Sequence, residues 1–203
     1  MVTREKIPDP FQKLTRQARE NGVPVVMDET LSLLLETMKE NGYTSLLEIG
    51  TAIGRTAIEA ARLSPQMRVV TIERNPDMAK AARKNIEEAG LKEQITLIEG
   101  DALETEIPDG SFDVIFIDAA KAQYGRFFQK YSSRLKANGI IISDNMNFHG
   151  LVAHPERTHN RNTRDLVRKI GQYRAFLAGL EDFETEMLET GDGIAVTRRK
   201  KHA

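Results

Sequence analysis

Five short apolar runs, each ended or followed by an acidic residue or a glycine, constrain this chain more than any other feature. They are Ser45–Ile49, Arg68–Glu73, Ile95–Glu99, 113–118 and 139–143. Helical patterns separate them at 55–63, 76–89 and 122–135, and two more precede them at about 10–20 and 28–40. Strands alternating with helices predict an α/β fold built on a doubly wound, mostly parallel sheet. Asn21-Gly22 and Asn41-Gly42 are expected to end the first two helices, and Asp28 to cap the start of the second. Asn75-Pro76 reads as a cap followed by a first-turn proline. The C-terminal part departs from the alternation. A long helix at about 161–180 is followed by two β-runs, Phe183–Leu188 and 194–198, around Thr190-Gly191-Asp192-Gly193, which predicts a closing antiparallel hairpin.

At 203 residues the chain is read as one domain, 1–203, with the helices of 1–40 capping the site. Cysteine is absent, which excludes disulfides and thiolate metal sites and agrees with a reducing compartment. The first residues carry no apolar leader and no stretch is long enough to cross a bilayer, so no membrane association and a cytoplasmic location are expected. Net charge is −1, so bulk electrostatics do not announce a nucleic-acid binder. From Leu151 onward, however, 10 Lys+Arg face 8 Asp+Glu, with the basic residues grouped at Arg157 to Arg174 and at Arg198 to Lys201.

The first strand runs into Leu46-Leu47-Glu48-Ile49-Gly50-Thr51-Ala52-Ile53-Gly54. Gly50 and Gly54 permit a tight turn and close backbone approach to a ligand. The spacing is neither the dinucleotide fingerprint nor a phosphate loop. Glu48 would repel a phosphate and attract an ammonium group. Glu73, ending the second strand, suits a pair of ribose hydroxyls. Asp101, in Gly100-Asp101-Ala102 after the third strand, can accept from an adenine amino group. A ligand with an amino acid head, a ribose and an adenine but no phosphate fits these positions: S-adenosylmethionine.

Phe116-Ile117-Asp118-Ala119-Ala120-Lys121 and Ile142-Ser143-Asp144-Asn145 end the fourth and fifth strands. Neighbouring parallel strand ends would bring Asp118, Asp144 and Asn145 to one point, with Lys121 beside them. Oxygen-only donors favour a hard divalent ion such as Mg²⁺. Each residue alone also has a bland reading: an Asx turn for Asp144-Asn145, a solvent-facing lysine for Lys121.

Together these segments resemble the metal-dependent O-methyltransferases of the catechol and caffeoyl-coenzyme A type, in which an α/β sheet is closed by an antiparallel hairpin. The likeness runs from about Val23 to the Gly-Asp-Gly turn. It implies that Val25, Glu48, Gly50, Thr56, Glu73, Gly100, Asp101, Ala102 and Asp118 line the S-adenosylmethionine site. It also implies that Asp118, Asp144 and Asn145 bind Mg²⁺, that Lys121 is the base, and that the protein is a homodimer. Within the family, Gly22-Val23-Pro24, the run from Ile117 to Tyr124 and His149-Gly150-Leu151-Val152-Ala153 resemble bacterial enzymes that methylate 5-hydroxyuridine in tRNA. tRNA is therefore the leading expected substrate, and a small catechol or hydroxycinnamoyl compound the alternative. Arg157, Arg161, Arg164 and Arg168 would form one stripe along RNA phosphates if the helix extends back to Arg157. Phe148 is a candidate for stacking on a base, while His149, His154 and His159 are expected at loops or the surface.

Overall fold

Along Phe112–Ile117, Val114 and Phe116 enter one apolar layer, and Ile115 and Ile117 enter the other. Burial on both faces is why the segment reads as an unbroken apolar run rather than an alternating one. The same division holds in Ser45–Ile49, where Leu46 packs on one side and Leu47 and Ile49 on the other.

The structure, a computed structural model, describes Gly22 and residues 25–201; the helix expected at 10–20 lies outside the described residues. The strands are β1 (Ser45–Ile49), β2 (Arg68–Glu73), β3 (Ile95–Glu99), β4 (Phe112–Ile117), β5 (Leu135–Ser143), β6 (Phe183–Leu188) and β7 (Ile194–Arg199). They form a seven-stranded sheet ordered β3-β2-β1-β4-β5-β7-β6. The first five are parallel, and β7 is antiparallel to both β5 and β6. The expected closing hairpin is thus present.

Helices α1 (Asp28–Glu40), α2 (Arg55–Ala61) and α3 (Pro76–Glu88) supply Leu34, Met38, Ile58 and Ile86 to one layer. Helices α4 (Tyr124–Tyr131) and α5 (Arg161–Ala178) supply Tyr124, Phe128, Tyr173 and Leu177 to the other. In α1 the buried positions Thr30, Leu31, Leu34 and Met38 follow the three-to-four spacing of one helix face. Burying a side chain such as Leu34 stabilises the fold by about 1.5–3 kcal/mol.

Several local expectations are corrected. Asp28 does not cap α1: Met27 occupies the cap position, and Asp28 is a first-turn residue whose carboxylate pairs with Arg55. Asn75 does cap α3, its side-chain oxygen accepting from the amides of Asp77 and Met78. The helix expected over 122–135 is shorter, because 3₁₀ turns at Lys121–Gln123 and Ser132–Arg134 flank α4. β5 accordingly begins at Leu135 and carries an irregularity opposite the step from Phe112 to Val114. Asp113 fixes this end of the sheet, accepting hydrogen bonds from the Thr44 and Ser45 amides, the Ser45 hydroxyl and Lys136. β7 runs one residue past the expected 194–198, to Arg199, which packs over the Phe183 ring and donates to the Ser132 carbonyl. Among the described residues no helix is long and apolar enough to cross a membrane.

Strand order reverses between β1 and β4, so the chain diverges at their C-terminal ends and leaves a crevice there. Three backbone bonds set its floor: Gly50 N–H donates to Ile72, Asp118 N–H to Ile49 and Asp144 N–H to Ile117. Gly50, Asp118 and Asp144 therefore stand in a row along one edge of the sheet.

Candidate active site

A cleft of about 640 Å³ opens over this edge. Of the residues expected from the sequence, Val25, Gly50, Thr56, Glu73, Asp118, Lys121, Asp144 and Asn145 line it. Gly100, Asp101 and Ala102 line a smaller pocket of about 120 Å³, whose wall also includes Gly50, Glu73 and Ala119 of the large cleft. The two cavities are therefore neighbours along one ligand path.

Gly50 shapes the crossing point. Its φ is +102°, and an added Cβ would lie 2.8 Å from the carbonyl carbon of Asp118 and closer still to its oxygen. Glu73 is held by two amides, Ala52 N–H donating to Oε2 and Asn75 N–H to Oε1, each at 2.8 Å. A carboxylate fixed by single bonds to each oxygen keeps lone pairs for two further donors. Asp101 accepts from Leu103 N–H at 2.9 Å and faces Arg74 at 3.9 Å.

Asp118 and Asp144 are neighbours because Ile117 and Ser143, the last residues of β4 and β5, are paired in register and each aspartate follows directly. Asp144 is buried, and its Oδ1 accepts from the Thr30 hydroxyl and the Asn145 amide. Asn145 has φ +59°, a left-handed conformation that asparagine tolerates better than most residues and that ends the strand at once. Burial raises the pKa of Asp144, and the negative charge of Asp118 raises it further. Burial also raises Asp118, while the Lys121 ammonium lowers both carboxyls. Two carboxylates opposing each other's ionisation, with a carboxamide adjoining and a lysine nearby, are a donor set suited to a hard divalent cation.

Glu48 does not line the cleft. It lies beneath the turn, accepting from the Thr71 hydroxyl at 2.5 Å and from Thr56. Register explains this: Glu48 stands opposite Thr71 in the interior of the sheet. Burial pushes its pKa up to about 8, against the opposing effect of the two threonine hydroxyls. Glu48 therefore meets the cleft through Thr56, which is part of its wall, and through Thr71, whose hydroxyl is hydrogen-bonded to that of the wall residue Thr51.

The arginine stripe is also revised. α5 starts at Arg161, with the Asn160 side chain accepting from Thr163 N–H, so Arg157 lies in a separate 3₁₀ turn, Pro155–Arg157. Arg161, Arg164 and Arg168 are exposed on α5, but Asp165 sits among them and pairs with Arg168 at 2.6 Å and Lys169 at 3.1 Å. None of these arginines lines the cleft. Phe148 is partly exposed and tilts against the His149 ring. His154 and His159 are exposed, whereas exposed His149 lines the cleft.

The sequence reading missed several wall residues, Arg55 and Asp192 among them. Arg55 donates to the Val26 carbonyl and pairs with Asp28, which fastens residues 26–28 beside the glycine turn. Met27 lies on the same side. Asp192, read only as a hairpin-turn residue, is buried against the cleft. Nothing local marks an aspartate in a Gly-Asp-Gly turn as buried, so no sequence signal was available for it.

A parallel sheet with one reversed strand, β7, a glycine turn after β1 and acids on the next strand ends defines an α/β protein with an open crevice at its strand ends and no phosphate loop. The chain belongs to the O-methyltransferase family, whose model matches residues 5–200. It is 34% identical over 150 residues to a catechol O-methyltransferase of Niastella koreensis, covering 68% of this chain and 66% of that protein. It is 40% identical over 105 residues to the catechol O-methyltransferase of Mycobacterium tuberculosis, covering 50% of this chain and 47% of the other. The matched segments thus span less than two thirds of both relatives. Among solved structures, a candidate caffeoyl-CoA O-methyltransferase from Staphylococcus aureus superposes with a TM-score of 0.91 at 36% identity, covering 95% of this chain and 93% of that one. The S-adenosylhomocysteine-bound Podospora anserina methyltransferase PaMTH1 gives 0.86 at 26% identity, covering 96% and 89%.

Proposed function

We propose that this protein is a divalent-metal-dependent O-methyltransferase that takes its methyl group from S-adenosylmethionine and delivers it to a hydroxyl beside a second oxygen. The observation that carries the reading is the pair of half-buried Asp118 and buried Asp144, set side by side next to Asn145 in a cleft that continues to Glu73 and Asp101. The S-adenosylhomocysteine in PaMTH1 supports the choice of donor.

In this reading Glu73 takes the ribose hydroxyls, Asp101 the adenine amino group, and Gly50 lets the backbone approach the amino acid portion. Thr56 and Val25 complete that wall, with Glu48 behind Thr56. Asp118, Asp144 and Asn145 would hold the divalent ion, which would supply Lewis-acid activation of an acceptor hydroxyl. Lys121 Nζ, as the neutral amine, would receive the hydroxyl proton and become the ammonium. The acceptor oxygen then forms its bond to the methyl carbon as the sulfur–carbon bond breaks, leaving S-adenosylhomocysteine. A 1,2-dihydroxybenzene is the acceptor favoured by the names of the catechol O-methyltransferase relatives.

A second acceptor, 5-hydroxyuridine in tRNA, is favoured by one observation, the exposed Arg161, Arg164 and Arg168 of α5. Its hydroxyl and adjacent carbonyl offer the same two-oxygen chelate. A cytoplasmic location and a homodimer belong to the proposal on family likeness alone.

The test is methyl transfer to a catechol with Mg²⁺ or Mn²⁺. Asp118→Asn and Asp144→Asn should each lower turnover by about 100-fold or more while binding of S-adenosylhomocysteine persists. Full turnover in excess chelator would refute the metal-dependent reading.

A further inference from the structure

Asp192 is 7% exposed, an uncommon place for a charged residue in a hairpin turn. Its Oδ1 accepts from the His149 amide at 2.5 Å. Its Oδ2 is buried and has no hydrogen-bond partner among the described residues. Among those residues the cation-capable group that faces this oxygen is His149 Nδ1 at 3.8 Å, on a side chain that is 78% exposed. A buried carboxylate oxygen left without a donor costs several kcal/mol, so such an atom calls for a partner.

A second orphan lies nearby. The Tyr124 hydroxyl is buried and also lacks a hydrogen-bond partner among the described residues. Burial, and then the charges of Asp118, Asp144, Tyr173 and Asp192, hold it in its protonated form. Tyr124 enters from α4, Asp192 from the β6–β7 turn, and the residues after β5 run between these elements. Those residues are laced to the turn: Met146 N–H donates to the Gly193 carbonyl at 2.9 Å and Asn147 N–H to the Asp192 carbonyl at 2.8 Å. Phe148 and His149 both have positive φ, +44° and +57°, a strained path for bulky residues that the Asp192–His149 bond helps to hold.

Among the described residues, no group of three or more acidic, histidine or cysteine side chains is placed to hold one ion together. Asp192 is therefore not a third direct carboxylate. We propose that Asp192 and Tyr124 form an outer hydrogen-bonding layer of the divalent-ion site, with the free Asp192 oxygen accepting from the ion's hydration and the Tyr124 hydroxyl completing the same network. Asp192 is a positioning residue in this scheme: one oxygen fixes the segment after Asn145, and the other orients what the ion carries. The inference rests on the metal-dependent reading above.

The experiment is Mn²⁺ titration of the full chain, followed by electron paramagnetic resonance, with thermal melting of the metal-free protein alongside. Asp192→Asn keeps the shape and an acceptor for the His149 amide but removes the charge. Tyr124→Phe removes only the orphan hydroxyl and keeps the edge-on contact with Tyr173, whose ring centroid lies 5.5 Å away. Both metal-free variants should melt at or above the wild-type temperature, since Asp192→Asn removes an unpaired buried charge and Tyr124→Phe an unsatisfied buried hydroxyl. Mn²⁺ affinity should fall about 10- to 100-fold in Asp192→Asn and by a smaller factor in Tyr124→Phe, with S-adenosylhomocysteine affinity unchanged. Wild-type Mn²⁺ affinity in both variants, while Asp144→Asn loses it, would overturn the outer layer and leave the metal reading standing. A wild-type protein that binds no Mn²⁺ would overturn both.

Discussion

Replacing Gly50 with alanine tests whether the glycine turn and the Asp118 main chain form one mechanical unit. Alanine at φ +102° loses about 1–2 kcal/mol from its left-handed backbone alone. Its Cβ would also press into the main chain of Asp118, with Ala119 Cα only 3.2 Å away, and neither neighbour can rotate aside. Overpacking of this kind costs about 1–3 kcal/mol, so the total is roughly 2–5 kcal/mol. For a protein of this size that lowers the melting temperature by roughly 5–15 °C. Gly54→Ala is the control: its φ is +86°, but the new Cβ would meet Ala82 Cβ at an ordinary 3.4 Å. Only the backbone term should remain there, about 1–2 kcal/mol. Thermal melting and urea titration of both variants measure the difference. Because the clash displaces Asp118, Gly50→Ala should also weaken Mn²⁺ and S-adenosylhomocysteine binding together. A Gly50→Ala variant no less stable than Gly54→Ala would refute the close-approach argument.

Glu48 makes stability depend on pH. With its carboxyl pushed from 4.5 to about 8, the folded state holds a proton that the unfolded state releases. This contribution is intact below about pH 4.5 and is lost as pH rises to about 8, up to about 5 kcal/mol in all. Glu48→Gln should flatten the urea-midpoint curve between pH 5 and 8, and parallel curves for the two proteins would contradict the burial argument. Changing Arg161, Arg164 and Arg168 together to Glu should reduce activity on tRNA bearing 5-hydroxyuridine far more than on catechol, and should lessen the salt dependence of RNA binding by about one unit per lost phosphate contact. An equal loss on both substrates would exclude α5 as an RNA track.

The strands were legible because burial on both faces of a parallel sheet leaves uniform apolar runs, and Asn75-Pro76 was legible because a cap is settled within four residues. Gly50, Glu73 and Asp101 could be placed on one edge from topology alone, since parallel strands all end on the same side. Asp118 and Asp144 followed from the same logic, needing only that β4 and β5 be neighbours. What failed was side-chain direction. Glu48 is two residues from Gly50, yet it points into the sheet toward Thr71 and Thr56. The arginine spacing likewise continued past Asn160, where the helix begins.

The chain's local chemistry by itself determined the strand–helix alternation, the turn after β1 and the set of oxygen-bearing strand ends, because each depends on backbone preference and on periodicity within a few residues. Only the tertiary structure decided which of those groups face one cavity. Asp192 shows why: its burial arises from a bond to His149, 43 residues away in sequence, and from the docking of the β6–β7 turn against the segment after β5. Such contacts are set by how strands register across the sheet and how loops pack over its edge, which no short stretch of sequence encodes.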